Sequence, residues 1–136
     1  MAAAVLANRA HELATPKIIV SSSGTSSWHV GESAHQLSEQ TWKLAGYTHE
    51  HSARQFQVEN FDQVDLILAM DLSNQANILK LARSSQDEEK VFMLRAFDPA
   101  ASSLEVPDPW GHEISAYQEV LAMVEAAVSG LLKTLR

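Results

Sequence analysis

One carboxylate in this sequence stands in a setting typical of a general acid. Asp108 lies in the run Val-Pro-Asp-Pro-Trp-Gly, residues 106–111, with a proline on each side. Because proline restricts its own φ angle, the two prolines stiffen the backbone around Asp108. A rigid carboxyl group can be held within hydrogen-bond reach of a leaving oxygen. A proline-rich turn in which Asp108 bonds only to its own backbone explains the same pattern equally well.

A second segment has the composition of an anion-binding loop. Residues 21–29 read Ser-Ser-Ser-Gly-Thr-Ser-Ser-Trp-His. Their hydroxyl and backbone N–H groups could line an anion pocket, and Trp28 could form one of its walls. Taken alone, the composition favours an ordinary Ser- and Gly-rich turn with a half-buried tryptophan.

Two histidines two residues apart, His49 and His51, have a spacing that suits a metal ion if the segment is extended. The sequence places no suitable third ligand, so structural or hydrogen-bonding histidines are favoured, and we expect no metal and no cofactor. Ser22, His51 and Asp108 could in principle assemble a hydrolase triad. The Gly-x-Ser-x-Gly turn of such enzymes is absent, which argues against this interpretation.

Composition excludes several classes of protein. The chain has 136 residues, a formal net charge of -7 and no cysteine. Without cysteine it contains no disulfide, zinc ribbon, iron–sulfur cluster or thiolate of its own. The acidic balance argues against nucleic-acid binding, and no apolar run approaches the ~20 residues of a membrane span. The start does not resemble a signal peptide, so we expect one cytoplasmic domain over residues 1–136.

Apolar periodicity predicts alternating helices and strands, which is typical of an α/β fold with a parallel sheet and helices on both faces. The predicted strands are 17–20, 65–70 and 90–94, and the predicted helices are 2–13, 33–45, 73–82 and 114–135, with a short helical turn within 58–64.

The boundaries of these elements carry further signals. Asp71 stands where the helix after the second strand needs a capping residue, and Gly46 suits the position just past a helix end. The run 84–89, which contains Asp87-Glu-Glu, is predicted to be a solvated loop. Ligands of parallel sheets bind at the carboxyl ends of the strands, so the loops 21–32, 71–74 and 95–112 are the expected functional region.

Five segments together resemble the low-molecular-weight protein tyrosine phosphatase family, in the family's order and spacing. The resemblance implies a three-layer fold whose sheet has four parallel strands. The segments are Ser-Ser-Gly-Thr at 22–25, Trp-His-Val-Gly at 28–31, His-Ser-Ala-Arg-Gln at 51–55, Asp-Leu-Ile-Leu-Ala-Met-Asp at 65–71 followed by Ser-Asn at 73–74, and Val-Pro-Asp-Pro at 106–109.

The resemblance implies roles for individual residues. Asp108 corresponds to the general acid that protonates the leaving phenolate. Pro109 and Trp110 correspond to the rim beside it, with Trp110 where a tyrosine is usual. Trp28 corresponds to the aromatic wall against the phosphotyrosine ring. Gly111 stands where some members carry a regulatory tyrosine, so that switch is not expected here.

Four other residues correspond to supporting positions of the family. Ser22 and His51 match members of the hydrogen-bond network that holds the phosphate loop in shape. Asp71 and Asn74 match structural positions.

The large departure from the family is at the start of the chain. The family opens with a strand and a Cys-x-x-x-x-x-Arg-Ser phosphate loop, followed by a Pro-Met pair whose methionine matches Met1. The strand, the nucleophilic cysteine and the phosphate-binding arginine are therefore absent. Since the thiolate forms the phosphoenzyme, the chain as written is expected to be inactive.

The missing strand is central in the family, between the strands that match 18–20 and 66–70. Its absence would leave a gap of about 10 Å between two unpaired edges, so we expect low stability or self-association through strand edges.

Two explanations remain: a truncated phosphatase acting on a phosphotyrosine protein or a small aryl phosphate once the loop is supplied, or a non-catalytic pseudophosphatase or interaction module. Arsenate reductase on the same scaffold would need several cysteines. No nucleic-acid or membrane partner is expected.

Overall fold

Two short parallel strands lie at the centre of the fold. The computed structural model describes residues 1–15, 17–24, 36–50, 54–109 and 111–136. The helices and strands in chain order are α1 (Ala2–Arg9), α2 (Gln36–Leu44), α3 (Asn60–Gln63), β1 (Ile67–Ala69), α4 (Leu72–Leu81), α5 (Ser85–Glu88), β2 (Val91–Met93) and α6 (Ile114–Leu135), and 3-10 turns occupy Ala10–Glu12 and Leu94–Phe97.

The sheet of the described residues pairs β1 with β2 in parallel, with Leu68 opposite Phe92. Neighbouring side chains of β1 point to opposite sides, as strand geometry requires. Leu68 and Met70 pack on a core formed with α1 and α6. Ile67 and Ala69 pack on a second core formed with α3 and α4. Helices therefore cover both faces, and the predicted α/β architecture is confirmed. The count of four strands stays a prediction.

Helix α6 supplies the largest part of the first core. Its bounds agree with the predicted helix, and its apolar residues recur every three or four positions, which places them on one face. The buried members are Tyr117, Val120, Leu121, Val124, Ala127, Val128, Leu131 and Leu132. Among the helices of the described ranges, none is both long enough and apolar enough to cross a membrane.

The predicted strand 17–20 is wrong. Within the described residues this segment forms no ladder, and Ile19 is 89% exposed. The nearby pairing is an isolated parallel bridge between Gly24 and Gln55. A β-branched run favours extended backbone, but a strand also requires a neighbour that pairs with its N–H and C=O groups.

The prediction of a solvated loop at 84–89 is also wrong. Ser84 caps the short helix α5 by accepting from the backbone N–H of Asp87. Asp87 is only 5% exposed and accepts from Arg83 Nε at 3.0 Å. The same guanidinium donates to Asp62 Oδ1 at 2.6 Å, and its hydrogen bonds hold the pKa of Asp87 below the usual value. An acidic run thus becomes a helix because a cation four residues earlier pairs with it.

Two helix ends follow their local sequence. Gly46, just past α2, has a φ of 93°, which the sequence predicts for that position. Only glycine adopts this left-handed conformation without a steric penalty. Helix α1 ends earlier than predicted, because the chain tightens into the 3-10 turn Ala10–Glu12.

The segment after α2 is tied to α6 by a hydrogen bond from the hydroxyl of Tyr47 to Glu125 Oε2, at 2.6 Å. Beside it, Arg9 of α1 donates to Ser129 Oγ of α6 at 2.8 Å. Burial, followed by the hydrogen bond to Glu125, raises the pKa of Tyr47 to about 12 from its ordinary value of 10. These bonds join three segments that are far apart in sequence.

The raised pKa of Tyr47 makes stability depend on pH in the alkaline range. Because the folded-state pKa lies above the unfolded-state value, the contribution is fully present below pH 10 and is lost as the pH rises toward about 12. Tyr47→Phe is expected to lower the free energy of unfolding by about 1 kcal/mol at neutral pH and to reduce this pH dependence. Urea denaturation at pH 7 and pH 11 measures both effects. An identical loss of stability between these two pH values in both proteins would contradict the assignment.

Candidate active site at the carboxyl end of the strands

The loop that carries Asp108 is anchored beside the end of β1. The backbone N–H of Val106 donates to the carbonyl of Met70 at 2.7 Å, and the Val106 side chain is buried in the core beneath α6. Met70 directly follows β1, so this bond places the loop at the carboxyl end of the strand. Parallel sheets bind their ligands at this edge.

Glu105 supplies two further attachments for the same loop. Its carbonyl accepts from Arg95 Nη1 at 2.6 Å, and its carboxylate Oε2 accepts from the backbone N–H of Leu72 at 3.3 Å. Arg95 lies in the 3-10 turn after β2, and Leu72 is the first residue of α4. The loop therefore bridges the segments that follow the two strands.

Asp108 lies at the exposed end of this anchored loop, between exposed Pro107 and half-buried Pro109. The carbonyl of Pro109 accepts from the backbone N–H of His112 at 2.9 Å, which closes the turn into α6. Burial first, and then the charge of Asp108, raises the pKa of Tyr117 on that helix. The carboxylate thus lies near the start of α6, on a turn bounded by two prolines.

Helix α4 begins at the same edge of the sheet. Asp71 Oδ1 accepts from the backbone N–H of Asn74 at 2.7 Å, so the predicted cap is confirmed. The cap satisfies one of the N–H groups that a helix start leaves without an intrahelical partner. Asp71 and Asn74 thereby fix the start of α4, against which Glu105 holds the Asp108 loop.

Replacement of Asp71 tests this cap. Asp71→Ala removes the acceptor and is expected to lower the free energy of unfolding by about 1 kcal/mol. Asp71→Asn keeps a side-chain oxygen in place and is expected to lose much less. Chemical denaturation of the two variants makes the comparison; equal losses would show that the charge of Asp71 matters, and not its capping oxygen.

Ser22 belongs to a second group of contacts. It is half-buried, and its carbonyl accepts from Arg54 Nε at 3.2 Å. Gly24 donates to the carbonyl of Arg54 and accepts from the N–H of Phe56, both at 2.6 Å. Ser22 is therefore held beside the segment that follows His51. The sequence-predicted residues Trp28, His51 and Trp110 lie outside the described residues.

Of the predicted histidine pair, His49 lies in the described ranges and His51 does not. His49 is half-buried, and its ring meets the ring of Trp42 edge-on, with centroids 6.0 Å apart. Over the parts of the chain that the structure describes, no group of three or more His, Cys, Asp or Glu side chains could hold a metal ion.

Sequence reasoning missed Arg95, Glu105 and Tyr117. Arg95 and Glu105 meet through a backbone carbonyl, a contact that leaves no pattern in the sequence. The burial of Tyr117 could have been predicted from the sequence, because it lies three residues before Val120 and begins the buried face of α6.

Comparison with known proteins gives a consistent match. The family model described as low molecular weight phosphotyrosine protein phosphatase matches residues 1–136. The chain is 38% identical over 139 residues to the low molecular weight protein-tyrosine-phosphatase of Streptomyces coelicolor, with 100% of this chain and 85% of that protein covered. It is 36% identical over 114 residues to low molecular weight protein-tyrosine phosphatase A of Mycobacterium tuberculosis, with 82% and 68% covered.

A solved structure supports the same relationship. The crystal structure of a protein tyrosine phosphatase from Entamoeba histolytica superposes with a TM-score of 0.91 at 29% identity, covering 98% of this chain and 86% of that one. The similarity therefore extends over almost the whole chain in both sequence and fold.

Proposed function

Because the chain belongs to the low molecular weight phosphotyrosine protein phosphatase family, we propose that it carries the general acid and the substrate-facing loops of a phosphotyrosine phosphatase. The observation that carries the proposal is the anchoring of the Asp108 loop. It is held to Met70 after β1 and to Leu72 at the start of α4. This anchoring supports a position for the Asp108 carboxyl group at the edge of the sheet where a ligand is expected.

Where a preceding phosphate loop supplies the cysteine, which residues 1–136 do not contain, Asp108 acts on both proton transfers of the reaction. In the first step a cysteine thiolate attacks phosphorus, the bond from phosphorus to the phenolic oxygen breaks, and the carboxyl group of Asp108 gives its proton to that oxygen. In the second step water attacks the cysteinyl-phosphate, the phosphorus–sulfur bond breaks, and the Asp108 carboxylate accepts a proton from the water. The thiolate and the protonated acid are both restored.

The family resemblance supports roles for the neighbouring positions. We assign Trp28, Pro109 and Trp110 to binding the aromatic ring of the substrate. Ser22 and His51 are assigned to the hydrogen bonds that shape the phosphate loop. The hydrogen bond from Arg54 Nε to the Ser22 carbonyl supports the assignment of Ser22, because it ties residue 22 to a residue of the same sequence motif as His51.

The absence of cysteine makes the proposal testable in two parts. Residues 1–136 contain no thiol, so this polypeptide is expected to turn over p-nitrophenyl phosphate no faster than buffer. A fusion in which a strand and the family's Cys-x-x-x-x-x-Arg-Ser loop precede Met1 is expected to hydrolyse it. Release of p-nitrophenol, followed by absorbance, measures both proteins.

The fusion has a matched control in which the introduced cysteine is serine. It keeps the added strand and loop, and is expected to be inactive. Turnover by residues 1–136 alone would contradict the need for a thiolate. An inactive but folded fusion that binds a phosphotyrosine peptide would favour a non-catalytic binding module over the proposed enzyme.

A further inference from the structure

We propose that Arg95 is a positioning residue for the loop that carries Asp108, an inference that rests on the proposed function of that aspartate. Arg95 is only 7% exposed. A guanidinium is permanently charged, and a buried charge is costly unless it is paired. In the described part of the chain, however, no carboxylate forms an ion pair with Arg95, and its Nε has no hydrogen-bond partner.

The hydrogen bond that Arg95 does make goes to the loop. Nη1 donates to the carbonyl of Glu105 at 2.6 Å, a short distance typical of a charge-assisted bond. Glu105 precedes Asp108 by three residues. Packing alone does not explain a guanidinium here, because an apolar side chain of similar volume would fill the space without the desolvation penalty.

The attachments of the loop act on two adjacent residues. The carbonyl of Glu105 is held by Arg95, its carboxylate is held by the N–H of Leu72, and the N–H of Val106 is bonded to Met70. Pro107 then restricts the backbone that leads to Asp108. Loss of the Arg95 donor frees the Glu105 peptide plane to rotate, which displaces the carboxyl group that follows.

Amide hydrogen exchange of residues 1–136 tests this role without substrate or turnover. In Arg95→Met, exchange of the Val106 N–H is expected to be about tenfold faster than in the parent, relative to the Ile67 N–H. Ile67 is the internal reference because its N–H donates to the carbonyl of Lys90 at 2.8 Å, away from the loop. The amide resonance of Asp108 is expected to shift as well. A merely global loss of stability would accelerate both amides equally.

Two further variants sharpen the comparison. Arg83→Met removes another arginine, which is paired with Asp62 and Asp87, and is expected to leave the ratio of Val106 to Ile67 exchange unchanged. Arg95→Lys keeps the cation without the planar fork, and is expected to raise that ratio about threefold. The lysine variant decides the question if the methionine variant does not fold.

An unchanged exchange ratio in Arg95→Lys, or equal acceleration of both amides in Arg95→Met, would overturn the role of Arg95. Neither result would affect the proposed role of Asp108, which is measured by turnover in the fusion protein. Conversely, if replacing Asp108 had no effect on turnover in the fusion protein, the hydrogen-exchange result would still show that Arg95 positions the loop. The two failures are therefore distinguishable.

Discussion

Asp108→Asn in the fusion protein is expected to lower kcat/KM for p-nitrophenyl phosphate about 100-fold and for phenyl phosphate about 10⁴-fold. Asparagine has nearly the same shape as aspartic acid but has no acidic proton to donate. Phenolate is more basic than p-nitrophenolate, so its departure depends more strongly on protonation. The larger loss with the poorer leaving group is the signature of a general acid, and steady-state kinetics with both esters measures it.

Glu113→Gln is the matched control for this measurement. Glu113 is exposed, lies five residues after Asp108, and makes no side-chain capping bond at the start of α6. Its replacement removes a carboxylate charge close to the same loop, and is expected to leave kcat/KM for both esters unchanged. Equal losses in kcat/KM with the two esters in Asp108→Asn would point to a binding defect and contradict proton donation to the leaving group.

Gly130→Ala is expected to lower the free energy of unfolding by about 3 kcal/mol, the largest stability effect that we expect for a single methyl group. A Cβ at Gly130 would overlap the carbonyl oxygen of Phe97 and lie 2.7 Å from its carbonyl carbon. These are backbone atoms, so no side-chain rotation relieves the overlap. Helix α6 and the 3-10 turn Leu94–Phe97, which contains Arg95, would have to separate.

The expected change in the free energy of unfolding has the opposite sign to the change that helix propensity predicts. Alanine is favoured over glycine inside a helix by about 1 kcal/mol, so propensity alone predicts that Gly130→Ala is stabilising. Ala126→Gly, at an exposed position of the same helix, calibrates this term and is expected to lose about 1 kcal/mol. Urea denaturation gives both values. A Gly130→Ala protein as stable as the parent would show that α6 and the turn do not approach so closely.

The elements that sequence predicted well are those with local causes. The apolar repeat of α6 specifies a buried stripe over Ile114–Leu135, and the apolar runs around β1 and β2 are short and bounded by polar residues. Asp71 caps α4 and Gly46 takes a positive φ, because each acts on backbone within a few residues of itself. The two wrong predictions have the opposite cause. Segment 17–20 has no pairing neighbour among the described residues, and the helix that contains Asp87 depends on the ion pair with Arg83.

The candidate site also has features that the sequence predicted and features that it did not. Its place at the carboxyl end of the strands followed from the α/β pattern, and the flanking prolines drew attention to Asp108. The attachments that hold this residue did not follow, because Arg95 and Glu105 are ten residues apart and meet through a main-chain carbonyl. No spacing rule marks such a bond.

By itself the sequence determined the class of fold and, through five motifs in register, the family, which is confirmed by the match over residues 1–136. It also determined that these residues contain no thiol. Only the tertiary structure decided which backbone groups pair across the sheet edge, how Asp108 is anchored, and why residue 130 must be glycine. The physical reason is that periodicity and capping report on neighbours along the chain. Hydrogen bonds and close backbone contacts between distant segments depend on how the elements pack.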